Sequence, residues 1–381
     1  MKWSTTTDYI KDVLERPGIL PDQRVDLKRF DNEADKNEGL SINTRKGQVI
    51  VLCNFAKAVQ KPFKDMQRED IENYLYSLKI AARSLDLHKI TIRKFFKWVY
   101  QSDTYPEVVK WIKIKGQRTR KLPEDMLTLK EIRALIDAAD NPRDKALVSI
   151  LYESGCRLSE ITNIMQKDVK IDQYGAVIVV NGKTGMRRIR LIDSAPDIIL
   201  WLNNHPLKGD NNPLFNDRRF RLQPLGQDGV QKVLQTLTKR AGISKHVHPH
   251  LLRHSRLTQL AKDFTESELK IMAGWTGDSR MAGIYVHLSG ADIERKQLER
   301  AGLIDKEERQ KEENLLKPRD CPRCKEVNPA TAKFCYKCGM ALDIQTAMKV
   351  EEKDSGMMMD FIELLKREPR LFEIMKGISD K

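Results

Sequence analysis

The sequence predicts a mainly α-helical protein with one small β-sheet: a helical N-terminal domain, an α+β second domain and a small cysteine-rich module. Three observations carry this. Helical periodicity dominates the first 115 residues and returns from 228 to 298, a single stretch alternates around a turn at 176–192, and four of the six cysteines lie within eighteen residues near the C-terminus.

In the N-terminal region Ile71, Tyr74, Leu75 and Leu78 follow i, i+3, i+4, i+7 spacing, which places one apolar stripe against a core. The segment His88–Tyr100 offers Phe95, Phe96 and Val99 as core residues, while Lys89, Arg93 and Lys97 recur every four residues along another face. From Lys79 to Lys121 twelve basic residues face three acidic ones, so most of the chain's net charge of +14 is concentrated there. A run of charges is ordinarily a solvated helix face. This density points instead to a surface that meets a phosphate backbone, with Lys89, Arg93, Lys97, Arg118 and Arg120 as candidate DNA contacts.

The polar segment around Gly116–Pro123 reads as a linker, and the expected boundaries are 1–115 for the first domain and 116–126 for the basic linker. The second domain is expected over 127–301, opened by a capping box of Thr128 and Glu131 ahead of Ile132, Leu135 and Ile136. Gly155 reads as the stop of the next helix, and Asn181-Gly182-Lys183-Thr184-Gly185 as the turn of a hairpin. A charged linker (302–319), the cysteine module (320–342) and an amphipathic, Met-rich tail (343–381) broken at Pro369 follow.

The composition narrows the partners. An excess of basic residues favours a polyanion, either nucleic acid or an anionic membrane surface. No apolar run is long enough to span a bilayer, and the N-terminal residues lack the apolar core of a signal peptide. The expectation is therefore a cytoplasmic, nucleoid-associated chain whose partner is double-stranded DNA.

The stretch His248-Pro249-His250-Leu251-Leu252-Arg253-His254-Ser255 holds three of the seven histidines. A metal site is one reading, because His250 and His254 share a helix face. Against it, Leu251 occupies the place of the glutamate that a zinc hydrolase needs, and the cationic Arg253 would repel a metal ion. A plain helix start is another reading: Pro249 suits the first helical position, and His254 then serves as a supporting residue. Neither explains Arg253. Elsewhere Arg157 follows Gly155 at a loop-to-helix junction suited to anions, Lys183 sits at the hairpin tip, and Trp275 and Tyr285 lie ten residues apart. Together these types fit phosphodiester transesterification. Two guanidiniums stabilise the pentavalent transition state, a tyrosine attacks, a lysine protonates the leaving oxygen and a histidine handles the tyrosine proton.

The ordered set Gly-x-Arg-x-Ser-Glu, hairpin Gly-Lys, His-x-x-Arg-His, Gly-Trp and Ile-Tyr, spread over Thr128–Leu298, resembles the tyrosine recombinase family of the lambda-integrase type. The resemblance implies Arg157, Lys183, His250, Arg253, Trp275 and Tyr285 as catalytic residues, Tyr285 being the nucleophile, with Glu160 in support. It also implies 3′-phosphotyrosyl intermediates, no ATP or catalytic metal, a helical core-binding domain that clamps DNA, and a homotetramer on two DNA sites. Trp275 stands where many members have histidine, so proton transfer would rest on Lys183 and His250. Two other functions share part of this set: a type IB topoisomerase, and a DNA-binding protein without catalysis.

Cys321-x-x-Cys324 and Cys335-x-x-Cys338-Gly339 form two knuckles that can offer four thiolates to one ion. So short a segment cannot fold on a core of its own, so a structural zinc is expected, in a module that resembles a zinc ribbon.

Overall fold

The computed structural model describes residues 6–114, 125–217, 223–288, 297–298, 300–303 and 314–367. The chain divides into two units after Arg120, within the segment read as a linker.

The first unit is helical: α1 (Thr6–Glu15), α2 (Pro21–Lys36), α3 (Ile42–Ala58), α4 (Arg68–Ser77), α5 (Ala82–Val99) and the single turn α6 (Glu107–Lys110). Pro21 opens α2 at a position where no backbone donor is lost, and the Ser41 hydroxyl caps α3 by accepting from the Thr44 N–H. Their apolar faces meet in an aromatic core. Phe95 of α5 lies edge-on to Phe30 at 5.2 Å and to Phe63 at 4.6 Å, and Phe55 edge-on to Tyr74 at 4.9 Å. Ile71, Tyr74, Leu75, Phe95, Phe96 and Val99 are all buried, as their spacing requires.

The second unit begins at α7 (Leu129–Asp137), where Thr128 and Glu131 exchange both capping-box hydrogen bonds. Next comes α8 (Pro142–Ser154), buried on nearly every side and ended by Gly155 in the left-handed region (φ +57°). After α9 (Leu158–Thr162) a three-stranded antiparallel sheet follows in the order β1 (Val169–Asp172), β2 (Gly175–Gly182), β3 (Gly185–Leu191). The hairpin is where the alternation placed it, and Lys183 and Thr184 are its two turn residues. The four-residue β1 was not anticipated. It is almost wholly exposed, so it carries no alternation, and only its pairing with β2 makes it a strand.

Six further helices follow among the described residues: α10 (Ala195–Asn204), α11 (Gln227–Arg240), α12 (Pro249–Leu260), α13 (Glu266–Ala273) and α14 (Met281–Leu288) before the cysteine module, and α15 (Ile344–Arg367) after it. Pro369, read as a break in the tail, lies outside the described residues. The α8 end is fastened to its neighbours. Glu153 accepts from the Ile192, Asp193 and Ser194 backbone N–H groups, while its own carbonyl receives Arg256 Nε of α12 at 3.0 Å. Ser255 Oγ accepts from the Leu127 N–H at 2.8 Å, tying α12 to the approach to α7. The cysteine module, with two-residue strands β4 (Arg319–Asp320) and β5 (Val327–Asn328), is held on α7 by Arg133, which donates to the carbonyls of Leu315 and Ala330.

Truncating Phe95 to alanine removes the ring on which the first unit's core converges. The expected cost is about 3–5 kcal/mol, read as a fall in the urea midpoint of that unit.

Candidate active site

The histidine-rich stretch is the start of α12. His248 is the N-cap residue and Pro249 the first helical residue. His250 and His254 sit one turn apart with ring centroids at 4.5 Å, edge to face. Arg253, three residues on from His250, is 2% exposed and donates to the Gly155 carbonyl at 2.6 Å and the Ala273 carbonyl at 2.8 Å. Burial, reinforced by the charge of Arg157, lowers its guanidinium to about 10, so it stays cationic at neutral pH.

A stack of rings runs outward from it. The Arg253 guanidinium lies 5.6 Å from the Trp275 ring centroid, Trp275 stacks on Tyr285 at 5.4 Å, and Tyr285 stacks on His254 at 5.5 Å. Tyr285 Oη and His254 Nδ1 share a hydrogen bond of 2.5 Å. Tyr285 is 1% exposed, and burial pushes its phenol up to about 12 against the pull of Arg253. His254, read from sequence only as a support, is thus the histidine on the tyrosine hydroxyl, whereas His250 lies against His254.

Arg157 is the N-cap residue of α9. Its backbone N–H and its Nη1 donate to the Glu160 carboxylate at 2.8 and 2.9 Å, and its Nη2 donates to the Gly274 carbonyl at 3.1 Å. Glu160 takes a second guanidinium that the sequence analysis did not single out. Arg187 of β3 grips both oxygens, at 3.0 and 2.7 Å, and donates from Nε to the Met272 carbonyl. The signal was present in the alternation. Arg187 shares the inward phase of β3 with Ile189 and Leu191, where an unpaired cation would be costly. Burial alone would raise the Glu160 carboxyl, but the hydrogen bonds from Arg187 and Arg157 outweigh it and hold the group at about 2.

Lys183 is exposed at the hairpin tip, and its neighbour Thr184 donates to the Gly274 carbonyl at 3.1 Å. Five of the six catalytic candidates, Arg157, His250, Arg253, Trp275 and Tyr285, are therefore linked through contacts that run from α9 to α14, and Lys183 is anchored beside them through Thr184. A cleft of about 280 Å³ adjoins them, lined by Cys156, Leu158, Gln231, His246, His248 and His250.

The first unit's candidates are partly engaged. Arg93 lies 3.8 Å over the Tyr105 ring, Lys89 Nζ donates to the Lys113 carbonyl, and Lys97 is half-buried. Arg118 and Arg120 lie outside the described residues. The four cysteine sulfurs, Cys321, Cys324, Cys335 and Cys338, gather within 4.8 Å of one another. Lys325 and Gly339, each following a knuckle, both turn through the left-handed region, and each returns its N–H to the carbonyl of the knuckle's first cysteine. Such a cluster can hold a metal ion.

Residues 125–291 match the phage integrase family, and residues 27–105 match the phage integrase N-terminal SAM-like domain. A tyrosine recombinase XerD of Bifidobacterium longum is 32% identical over 215 residues, 51% of this chain and 68% of the relative. The chain belongs to the tyrosine recombinase family. A tyrosine recombinase of Thermosipho africanus is 28% identical over 67% of this chain and 91% of its own. The fold of this recombinase is that of solved relatives. XerH site-specific recombinase bound to palindromic difH substrate aligns with a TM-score of 0.58 at 18% identity, covering 77% of this chain and 96% of that one. A lambda integrase tetramer bound to a Holliday junction aligns at 0.56 and 17%, covering 75% and 81%.

Because the Glu160 carboxyl is held below its ordinary 4.5, its contribution to stability is complete above that pH and is lost as pH falls toward 2. Glu160→Gln should therefore cost about 3 kcal/mol at pH 7, and the gap to wild type should close in urea titrations run progressively below pH 4.5.

Proposed function

We propose that this chain is a site-specific recombinase that cuts and rejoins duplex DNA through Tyr285. The observation that carries the reading is the placement of the Tyr285 hydroxyl on His254, within one stack that ends at the buried Arg253. The tyrosine oxygen attacks the scissile phosphorus, the bond to the 5′-oxygen breaks, and a 3′-phosphotyrosyl link forms. His254 receives the phenolic proton, with His250 behind it. Lys183 supplies a proton to the departing 5′-oxygen. Arg157 and Arg253 meet the charge that grows on the non-bridging oxygens. Attack by a 5′-hydroxyl on the same phosphorus reverses these steps and reseals the strand. Because the phosphotyrosyl bond retains the energy of the phosphodiester, resealing draws on no other energy source.

The helical unit grips the duplex through its basic face, including Lys89, Arg93 and Lys97, with Arg118 and Arg120 of the linker. A lambda integrase relative forms a tetramer on a Holliday junction, and the same assembly is proposed here on two DNA sites. No helix among the described residues is long and apolar enough to cross a membrane. The proposed location, which follows from work on DNA, is the cytoplasm with the nucleoid. The cysteine cluster is assigned one structural zinc, which would cross-link the two knuckles and supply the module's folding energy.

Two experiments test these assignments. Wild type incubated with a nicked suicide duplex should form a covalent adduct that Tyr285→Phe does not, and a plasmid with two sites should show deletion or inversion. Relaxation of supercoils with no exchange between sites would overturn the recombinase reading. Metal analysis should find about one zinc per chain, lost in Cys321→Ser with Cys324→Ser, and the doublet should unfold the module.

A further inference from the structure

Lys183 occupies an exposed two-residue turn on a flexible four-carbon stem, so a proton delivered from it to one oxygen needs a fixed base. The structure supplies one on each side of it. On the N-terminal side, Gly182 lies directly against the Glu160–Arg187 pair: a Cβ there would fall 2.3 Å from Glu160 Oε1 and 3.2 Å from Arg187 Nη1. On the C-terminal side, Thr184 Oγ1 donates to the Gly274 carbonyl, which also accepts from Arg157. Gly274 in turn closes on the same guanidinium, since its Cβ would fall 2.5 Å from Arg187 Nη1. One buried guanidinium is therefore wedged between the backbone of the hairpin tip and the end of α13. Its Nε, Nη1 and Nη2 donate to Met272 and Glu160 within the protein.

We propose that Arg187 is a positioning residue that, through Glu160 and the glycines packed on it, fixes the Lys183 turn over the scissile phosphate. It holds the proton donor in register with Arg157, which shares Glu160 and Gly274, and does not itself touch DNA. The proposal rests on the reading of Lys183 as the donor to the 5′-oxygen.

The test compares two duplexes carrying a site selected for adduct formation with the full-length wild type. One has an ordinary scissile phosphodiester and the other a sulfur in place of the bridging 5′-oxygen. A thiolate leaves without a proton, because a thiol ionises near ~8.5. Arg187→Met should slow adduct formation on the oxygen duplex by about 100-fold. On the sulfur duplex it should run within a few-fold of wild type, the same split as Lys183→Ala. Should Arg187→Met fail to fold, Arg187→Lys keeps the charge but not the two-pronged grip on Glu160, and carries the same comparison with a smaller loss. Equal slowing on both duplexes, or no slowing on either, overturns the positioning role. If Lys183→Ala is not rescued by sulfur, the assignment of Lys183 falls and takes this proposal with it. If Tyr285→Phe still forms the adduct, the fault lies in the nucleophile and the underlying reading.

Discussion

The last turn of α13 ends in three carbonyls, those of Met272, Ala273 and Gly274, and each receives a hydrogen from a different arginine. A helix leaves its final carbonyls unpaired and carries a partial negative charge at that end. Here those groups collect Arg187 from β3, Arg253 from α12 and Arg157 from the start of α9. One helix end thus gathers side chains from three separate parts of the second unit. Trp275, the next residue, begins the ring stack that leads to Tyr285. The geometry around Tyr285 therefore depends on where α13 stops, and Gly274 (φ +61°) stops it.

The charge balance follows from the same arrangement. Three guanidiniums converge, and Glu160 is the carboxylate that answers them, paired with Arg157 and Arg187 but not with Arg253. Arg253 donates to two neutral carbonyls and lies by an indole face; it feels the repulsion of Arg157 and, more weakly, the attraction of Glu160. Such a site gains most from an added anion, since a phosphoryl group would satisfy the cation that the protein leaves uncompensated. Glu160 consequently has a selective effect. It pairs with Arg187 and shares its charge with Arg157, and makes no direct ion pair with Arg253.

Much of this was legible along the chain because the deciding chemistry is local. Thr128 and Glu131 cap α7 across three residues, Gly155 ends α8 because it adopts a positive φ, and Pro249 opens α12 because that position needs no donor. The tip of the hairpin and the two cysteine knuckles are set by turns of a few residues in the same way. The misses share the opposite property. Strand β1 has no pattern of its own and exists through its partner. Arg187 was passed over because in sequence it is one of three arginines in a basic strand, and only the pleat separates it from Arg188 and Arg190.

The sequence by itself determined which reactive groups this protein owns, and where its helices start and stop, because those features depend on residue type and on neighbours within one turn. Only the tertiary structure decided which of two histidines a turn apart meets the tyrosine, and which arginine clasps Glu160. Those choices join residues 31 and 27 positions apart, and the link from Arg157 to Gly274 spans 117. No local preference reaches so far. They are settled by how α8, α12 and the sheet pack, and by the unpaired carbonyls that packing leaves at the end of α13.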